Sequence, residues 1–297
     1  MARDLYILAF DHRGSFEKGL FGLDGTPGPE DRQRISEAKA VILDGLLRAI
    51  DEGAPRESAG VLVDEQYGAD LARRVRDENL ILAMPVERSG QDQFEFEYGE
   101  AFGRHIEDFD PTFAKVLVRY NPEGDRERNA EQLVLLEQLS TWLHERDRKL
   151  LFELLVPALP EQLDAVGGDG DRYDLEVRPR LVVQAIRDCH ERGVEPDVWK
   201  IEGLEREEDG RAVVDHARSG GRGHVLCVVL GRGADRAAVE RWLRVGSTVQ
   251  GFAGFAIGRT IWFDPLKAWT GGDLPRDEAA GRVADAYRRM VDVYRGA

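Results

Sequence analysis

The chain has 297 residues, 42% of them hydrophobic, which is enough for one large core or two modest domains. Its formal net charge of -15 argues against broad binding to nucleic acid or an anionic membrane surface, while leaving room for a local cationic pocket. No run of about 18 apolar residues is present, so no membrane span is expected. The opening MARDLYILAF is too short and too charged for a secretion signal. Cys189 and Cys227 stand outside any CxxC or zinc spacing, which predicts a reduced, cytoplasmic setting.

In chain order, apolar runs of strand length fall at 5–11 (LYILAFD), 60–65 (GVLVDE), 80–87 (LILAMPVE) and 113–120 (FAKVLVRY). Four more follow at 150–157 (LLFELLVP), 198–203 (VWKIEG), 224–231 (HVLCVVLG) and 252–258 (FAGFAIG). The linking segments carry helical periodicity, clearest at 30–52, 126–147, 178–192, 235–245 and 277–295. Pro29 with Glu30 and Asp31 suits a helix start, as does Asp277, and Gly193 suits a helix end. Eight β units alternating with helices predict an α/β fold, a single (β/α)8 TIM barrel occupying 1–297 as one domain. The rival, an open doubly wound sheet, would want a GxGxxG or Walker loop after the first strand; the long segment DHRGSFEKGLFGLDGTPGPE stands there instead. Residues 165–176 (AVGGDGDRYDLE) read as a polar surface loop after the fifth strand, placed to lie over the site.

Strand side chains alternate between faces. In 113–120, Lys115, Leu117 and Arg119 oppose Ala114, Val116, Val118 and Tyr120; in 150–157, Leu151, Glu153 and Leu155 oppose Phe152, Leu154 and Val156. In 198–203, Val198, Lys200 and Glu202 oppose Trp199 and Ile201; in 5–11, Ile7, Ala9 and Asp11 oppose Leu8 and Phe10. One face is apolar in all four runs and suits the helices. The other collects Asp11, Lys115, Arg119, Glu153, Lys200 and Glu202, several near the strand C-termini where barrel active sites lie. A structural ion-pair network is the plain alternative, but charges of both signs from four strands favour catalysis.

Only six of the 41 basic residues are lysine, yet two of the six stand inside apolar strands. Lysine can lose its proton and arginine cannot. A lysine beside the cations Lys115 and Arg119 would be pushed toward the free amine, which attacks a ketone and forms an iminium, an electron sink for C–C cleavage. Carboxylates would shuttle the protons, with Glu153 and Asp11 the candidates. Lys200, Glu153, Lys115 and Asp11 are therefore the expected catalytic set of a class I aldolase, with no metal and no cofactor. The histidines at 12, 105, 144, 190, 216 and 224 form no HxH or HExxH pattern.

LGRGAD (230–235) and AIGRTIW (256–262) follow strands seven and eight, the usual phosphate loops of a barrel. Gly231, Gly233 and Gly258 would offer backbone N–H groups, with Arg232 or Arg259 as a bidentate partner; solvated glycine turns are the alternative. Residues 84–99 (MPVERSGQDQFEFEYG) place Glu87, Arg88, Ser89 and Gln91 for sugar hydroxyls, or form a surface loop. Arg119 and Glu202 complete the expected substrate contacts. Asp64 and Glu65 in VDEQYG stay open between the two readings.

Together LAFDHRGSF, VDEQYG, MPVERSGQDQFEFEYG, FAKVLVRYNPE, LLFELLVPA, VWKIEGLE and FAIGRTIWFDPL resemble one family, the 2-deoxy-5-keto-gluconate 6-phosphate aldolase-like domain. In many bacteria that domain is fused behind a sugar kinase (5-dehydro-2-deoxygluconokinase) of inositol catabolism. The resemblance runs from about residue 5 to 270. More distantly, the chain is similar to class I tagatose-1,6-bisphosphate aldolases, whose strand-six Schiff-base lysine matches Lys200. Their strand-four lysine matches Lys115, their strand-five glutamate Glu153, their strand-one aspartate Asp11, and their Gly-Arg after strand eight Gly258 and Arg259. The resemblance implies a phosphorylated keto-sugar acid as substrate, with glycerone phosphate and malonate semialdehyde as products. The chain opens directly on the barrel, without a kinase half. That admits another ketose phosphate (tagatose bisphosphate or sulfofructose phosphate type), a pathway link to a separate kinase, or a non-catalytic sugar-phosphate-binding barrel partnering one. The oligomeric state, homo-oligomer included, stays open.

Overall fold

The computed structural model describes residues 4–296, so the first three residues of the opening segment lie outside the described residues. Eight parallel strands run β1 (Leu5–Ala9), β2 (Ala59–Leu62), β3 (Ile81–Pro85), β4 (Phe113–Arg119), β5 (Lys149–Leu155), β6 (Val198–Glu202), β7 (Leu226–Leu230) and β8 (Phe252–Ile257). Each pairs with its neighbours in sequence, and β8 closes on β1, giving the (β/α)8 barrel read from the sequence. The helices are α1 (Pro29–Asp51), α2 (Glu65–Asp77), α3 (Phe102–Phe109), α4 (Arg126–His144), α5 (Pro160–Ala165), α6 (Gly170–Arg172), α7 (Arg178–Glu191), α8 (Glu207–Ala217), α9 (Arg236–Thr248), α10 (Arg259–Thr270) and α11 (Arg276–Arg295). Among the described residues, no helix is long and apolar enough to cross a membrane.

Alternation builds the layers. Tyr6, Leu8 and Phe10 of the first strand segment, Val116 and Val118 of β4, Phe152 and Leu154 of β5, and Trp199 and Ile201 of β6 are buried against the helices. The opposite set forms a separate core inside the barrel, in which Ile7, Leu62, Ala83, Leu151, Val198 and Val228 meet. This apolar plug is the floor on which the charged layer rests. The β5–β6 register sets Glu153 directly beside Lys200, two residues along from Leu151 and Val198.

Several boundaries differ from the expectation. β1 ends at Ala9, so Asp11 stands beyond the strand in the loop. β2 ends at Leu62; Asp64 caps α2 by accepting from Tyr67 N, and Glu65 opens the helix. β7 begins at Leu226, leaving His224 exposed in the turn before it. The expected loop at 165–176 is largely helical: α6 and a π-turn (Tyr173–Val177) run straight into α7. Asp169 caps this stretch through the Asp171 and Arg172 amides, and Tyr173 is buried with its hydroxyl donating to Val156 O at 3.0 Å.

Candidate active site

The charged layer centres on Lys115, which is 1% exposed and reached by three carboxylates. Glu87 Oε1 lies 2.6 Å from its ammonium, Asp11 Oδ2 3.0 Å and Glu153 Oε2 3.0 Å. The same Glu153 oxygen lies 2.9 Å from Lys200 Nζ, so two buried lysines share one acceptor. β4, β5 and β6 supply Lys115, Glu153 and Lys200 as inward residues, while Asp11 and Glu87 arrive from the loops after β1 and β3.

Burial opposes the charge on every one of these groups, and the outcome depends on what each one faces. Burial alone would strip the Lys115 proton, but Asp11, Glu153 and Glu87 outweigh it and hold its pKa well above the usual lysine value. Asp11 is likewise penalised by burial, yet Lys115 keeps it well below the ordinary carboxylate range. Glu153 follows, held low by Lys115 and Lys200 against its burial. In Glu87 burial prevails over Lys115, and its pKa is raised. Burial also keeps the His12 imidazole neutral down to about 4, against the pull of Asp11. Glu87 Oε2 and His12 Nδ1 are both buried without a hydrogen-bond partner.

A cavity of about 250 Å³ opens onto this layer, with Asp11, His12, Glu87, Lys115 and Glu153 in its wall and Ser89, Gln91 and Arg119 near its mouth. Lys200 is 2% exposed and meets that wall through Glu153. Arg119 was expected beside Lys200, but it is exposed and donates to Gln91 O at 2.9 Å. A residue at the last position of β4 projects past the layer that Lys115 occupies four residues earlier.

The remaining expected contacts divide. Glu202 is buried away from the cavity: Oε2 accepts from Val156 N at 2.9 Å, and Oε1 from Arg232 at 3.1 Å. Arg232 also pairs with Asp174 at 2.7 Å, and Arg178 reaches Asp174 at 3.0 Å, so two arginines and two carboxylates latch the ends of β5, β6 and β7 to the start of α7. The Arg232 guanidinium, expected as a phosphate partner, is thereby paired with Asp174 and Glu202. Arg259 stands nearby and donates to Arg232 O at 3.1 Å. Gly233 has φ 73°, and a Cβ there would collide with the Arg259 guanidinium. Gly258 caps α10, and a Cβ would strike Ala9 O, the carbonyl that accepts from Trp262 Nε1 at 2.9 Å. Gly231 lies at the same corner, packed beneath Ile257 and Val239. The Gly258 carbonyl accepts from Ile261 N at 2.8 Å, closing the first turn of α10. Among the described residues lining the cavity, none comes from the loops after β7 and β8.

Two features escaped the sequence reading. Lys39 of α1 is fully buried, donates to Phe10 O (2.6 Å) and His12 O (3.1 Å), and pairs with Asp64. It thus holds the backbone on both sides of Asp11, and Asp64 belongs to that support. Glu65 pairs instead with His105 at 2.6 Å. Arg13 bonds Glu97 at 2.9 Å, tying the loop after β1 to the loop after β3 across the cavity. A lysine among apolar residues on a helix, as in EAKAVIL, is the one signal that pointed to Lys39. Among the described residues, no group of three or more His, Cys, Asp or Glu side chains is placed to hold a metal ion.

A family model described as "Uncharacterized protein conserved in bacteria (DUF2090)" matches residues 1–297. A comparison with curated proteins finds no match. Among solved structures, the chain is similar to Cgl0159 from Corynebacterium glutamicum (Brevibacterium flavum), with a TM-score of 0.61 and 18% identity over 97% of this chain and 85% of that one. It is also similar to an archaeal fructose 1,6-bisphosphate aldolase, with a TM-score of 0.59 and 16% identity over 99% of this chain and 94% of that one. At these identities the likeness is one of fold, a (β/α)8 barrel.

Proposed function

The chain belongs to the DUF2090 family, and we propose that it is a class I aldolase, acting as one barrel domain, in which Lys200 forms the Schiff base. The observation that carries this reading is the shared oxygen of Glu153. Lys115 is gripped by three carboxylates and stays an ammonium. Lys200 touches Glu153, and if it gives up its proton Glu153 is still paired with Lys115. Lys200 is then the amine available for attack, and Lys115 the fixed positive charge beside the reacting carbon.

In this mechanism the Lys200 amine adds to the substrate ketone, and loss of water leaves an iminium. Asp11, a charged carboxylate in the cavity wall, takes the proton from the hydroxyl next to the scissile bond. The C–C bond breaks, its electrons pass into the iminium, an aldehyde leaves, and protonation and hydrolysis free the second product. Nothing in the sequence of steps calls for a metal or cofactor.

The sequence resemblance names the substrate in this proposal: 2-deoxy-5-keto-gluconate 6-phosphate, cleaved to glycerone phosphate and malonate semialdehyde. Arg119, Ser89 and Gln91 at the mouth suit the polar groups of such a chain. The corner of Gly258, Gly233 and Arg259 suits its phosphate, with Arg232 holding the corner rather than the ligand. The test is a panel of phosphorylated keto-sugars, including tagatose 1,6-bisphosphate and a sulfofructose phosphate, with coupled detection of glycerone phosphate and with EDTA present. Turnover of the keto-sugar acid phosphate in EDTA is expected. Binding without product across the panel would support a non-catalytic barrel, and activity lost to EDTA and restored by a divalent ion would move the mechanism to a metal.

A further inference from the structure

The charge layer is unbalanced. Three carboxylates, Asp11, Glu87 and Glu153, surround two lysines, Lys115 and Lys200. The neighbouring arginines have partners of their own: Arg13 bonds Glu97, and Arg119 reaches outward to Gln91 O. Glu87 differs from the other two carboxylates. Glu153 spends one oxygen on two lysines, and Asp11 is flanked by Lys115 and His12. Glu87 has Lys115 on Oε1 alone, while Oε2 is buried in the cavity wall with no partner. A buried carboxylate oxygen without a donor is costly; a carboxyl whose free oxygen carries a hydrogen needs only an incoming acceptor.

We propose that Glu87 holds the proton of this site and is the general acid that removes the carbinolamine oxygen as water. The inference rests on the Schiff-base reading of Lys200 and reassigns Glu87, which the sequence alone suggested as a contact for sugar hydroxyls. In the step, the proton passes from the Glu87 carboxyl to the carbinolamine hydroxyl, the C–O bond breaks, and water leaves. The lone pair of the Lys200 nitrogen becomes the second bond of the iminium. Hydrolysis of the product iminium runs the step backwards: water adds to carbon and returns its proton to the Glu87 carboxylate, so each turnover regenerates the acid.

Asp11 and Glu153 are poorly suited to that duty, because both are held as anions. Glu87 is pushed the other way. Carboxyl groups driven apart by their surroundings divide naturally into acid and base. The groups facing Glu87 are Lys115 from β4 and Asp11 and Arg13 from the segment after β1; His12, Arg88, Arg119 and Glu153 line the same cavity.

Infrared difference spectroscopy of wild type against Glu87→Gln, at neutral pH and without substrate, reads the proton directly. The wild type is expected to show a neutral carboxylic-acid C=O stretch that the variant lacks and that fades as pH rises. Absence of that band in wild type would overturn the proposal. Should Glu87→Gln not fold, Glu87→Asp must shift or remove the band; a band unchanged in Glu87→Asp is equally fatal. The second arm is the rate at which glycerone phosphate becomes borohydride-trapped on Lys200. Glu87→Gln should slow it by roughly 10²–10⁴ while leaving the final stoichiometry intact; an unchanged rate would also overturn the role. Wild-type protein that traps nothing on Lys200 would refute the aldolase reading itself, and with it the catalytic role, while the band still reports where the proton sits.

Discussion

Lys39 and Lys115 are both buried lysines in contact with carboxylates, yet they sit in different kinds of place. Lys39 donates to two backbone carbonyls and pairs with one carboxylate, Asp64, in a spot with no measurable exposure. Asp64 answers its charge, with Arg13 Nε 3.9 Å from the same carboxylate. Lys115 faces three carboxylates in the wall of a cavity, beside a second lysine. The first cluster is closed and neutral, so it holds the loop carrying Asp11. The second opens on the cavity and sets three carboxylates around two lysines. A buried ion pair is by itself weak grounds for a site; an unmatched charge count, a bare oxygen and access to a cavity are stronger.

Substitutions should separate the two clusters. The largest effect is expected from Lys200→Met, a loss on the order of 10⁶ in kcat, typical of deleting a covalent nucleophile. Its melting temperature should change little by comparison, and a variant that keeps substantial turnover would place the nucleophile elsewhere. Lys39→Met should do the reverse. It takes from the buried Asp64 the ammonium that touches it, leaving only Arg13 Nε 3.9 Å away, which costs about 3–5 kcal/mol of stability, read by denaturant unfolding. A Lys39→Met protein as stable as wild type would show that the closed cluster is not a support.

Gly258→Ala comes next. The new methyl must displace the Ala9 carbonyl, at about 1–3 kcal/mol of stability. Affinity for a phosphorylated ketose should fall more than affinity for its dephosphorylated form; equal losses would argue against a phosphate role for this corner. The smallest effect at neutral pH concerns His12, whose ring should titrate near 4 by NMR. Below its ordinary value of 6.5 the unfolded chain takes up a proton that the folded ring refuses. Stability contributed by His12 therefore falls as pH drops from 6.5 toward 4 and levels off beneath that. A midpoint near 6.5 would mean that the ring is open to water.

The barrel was legible because its eight apolar runs keep strand length and alternate with helices, and the inward face was legible because alternation is a strict rule of strand geometry. Lys115, Glu153 and Lys200 follow from it directly. Alternation says nothing about depth, so Arg119, on the same face as Lys115, gave no sign that it turns out to the mouth. Alternation carried Asp11 onto the inward face although β1 ends at Ala9, but it does not reach Glu87, which the loop after β3 brings to Lys115. Glu202 looked like a substrate contact because its partners, Arg232 and Val156 N, are 30 and 46 residues away along the chain. The 165–176 stretch misled through composition: glycine and aspartate suggest a loop, but Asp169 is a helix cap and Tyr173 an anchor.

The central claim is that Lys200 is the nucleophile, and borohydride reduction in the presence of glycerone phosphate, followed by peptide mass mapping, tests it most directly. One adduct per chain is expected, on Lys200, formed equally well in EDTA and absent from Lys200→Met. Inactivation with Lys200 unmodified, or an adduct on Lys115 in its place, would contradict it.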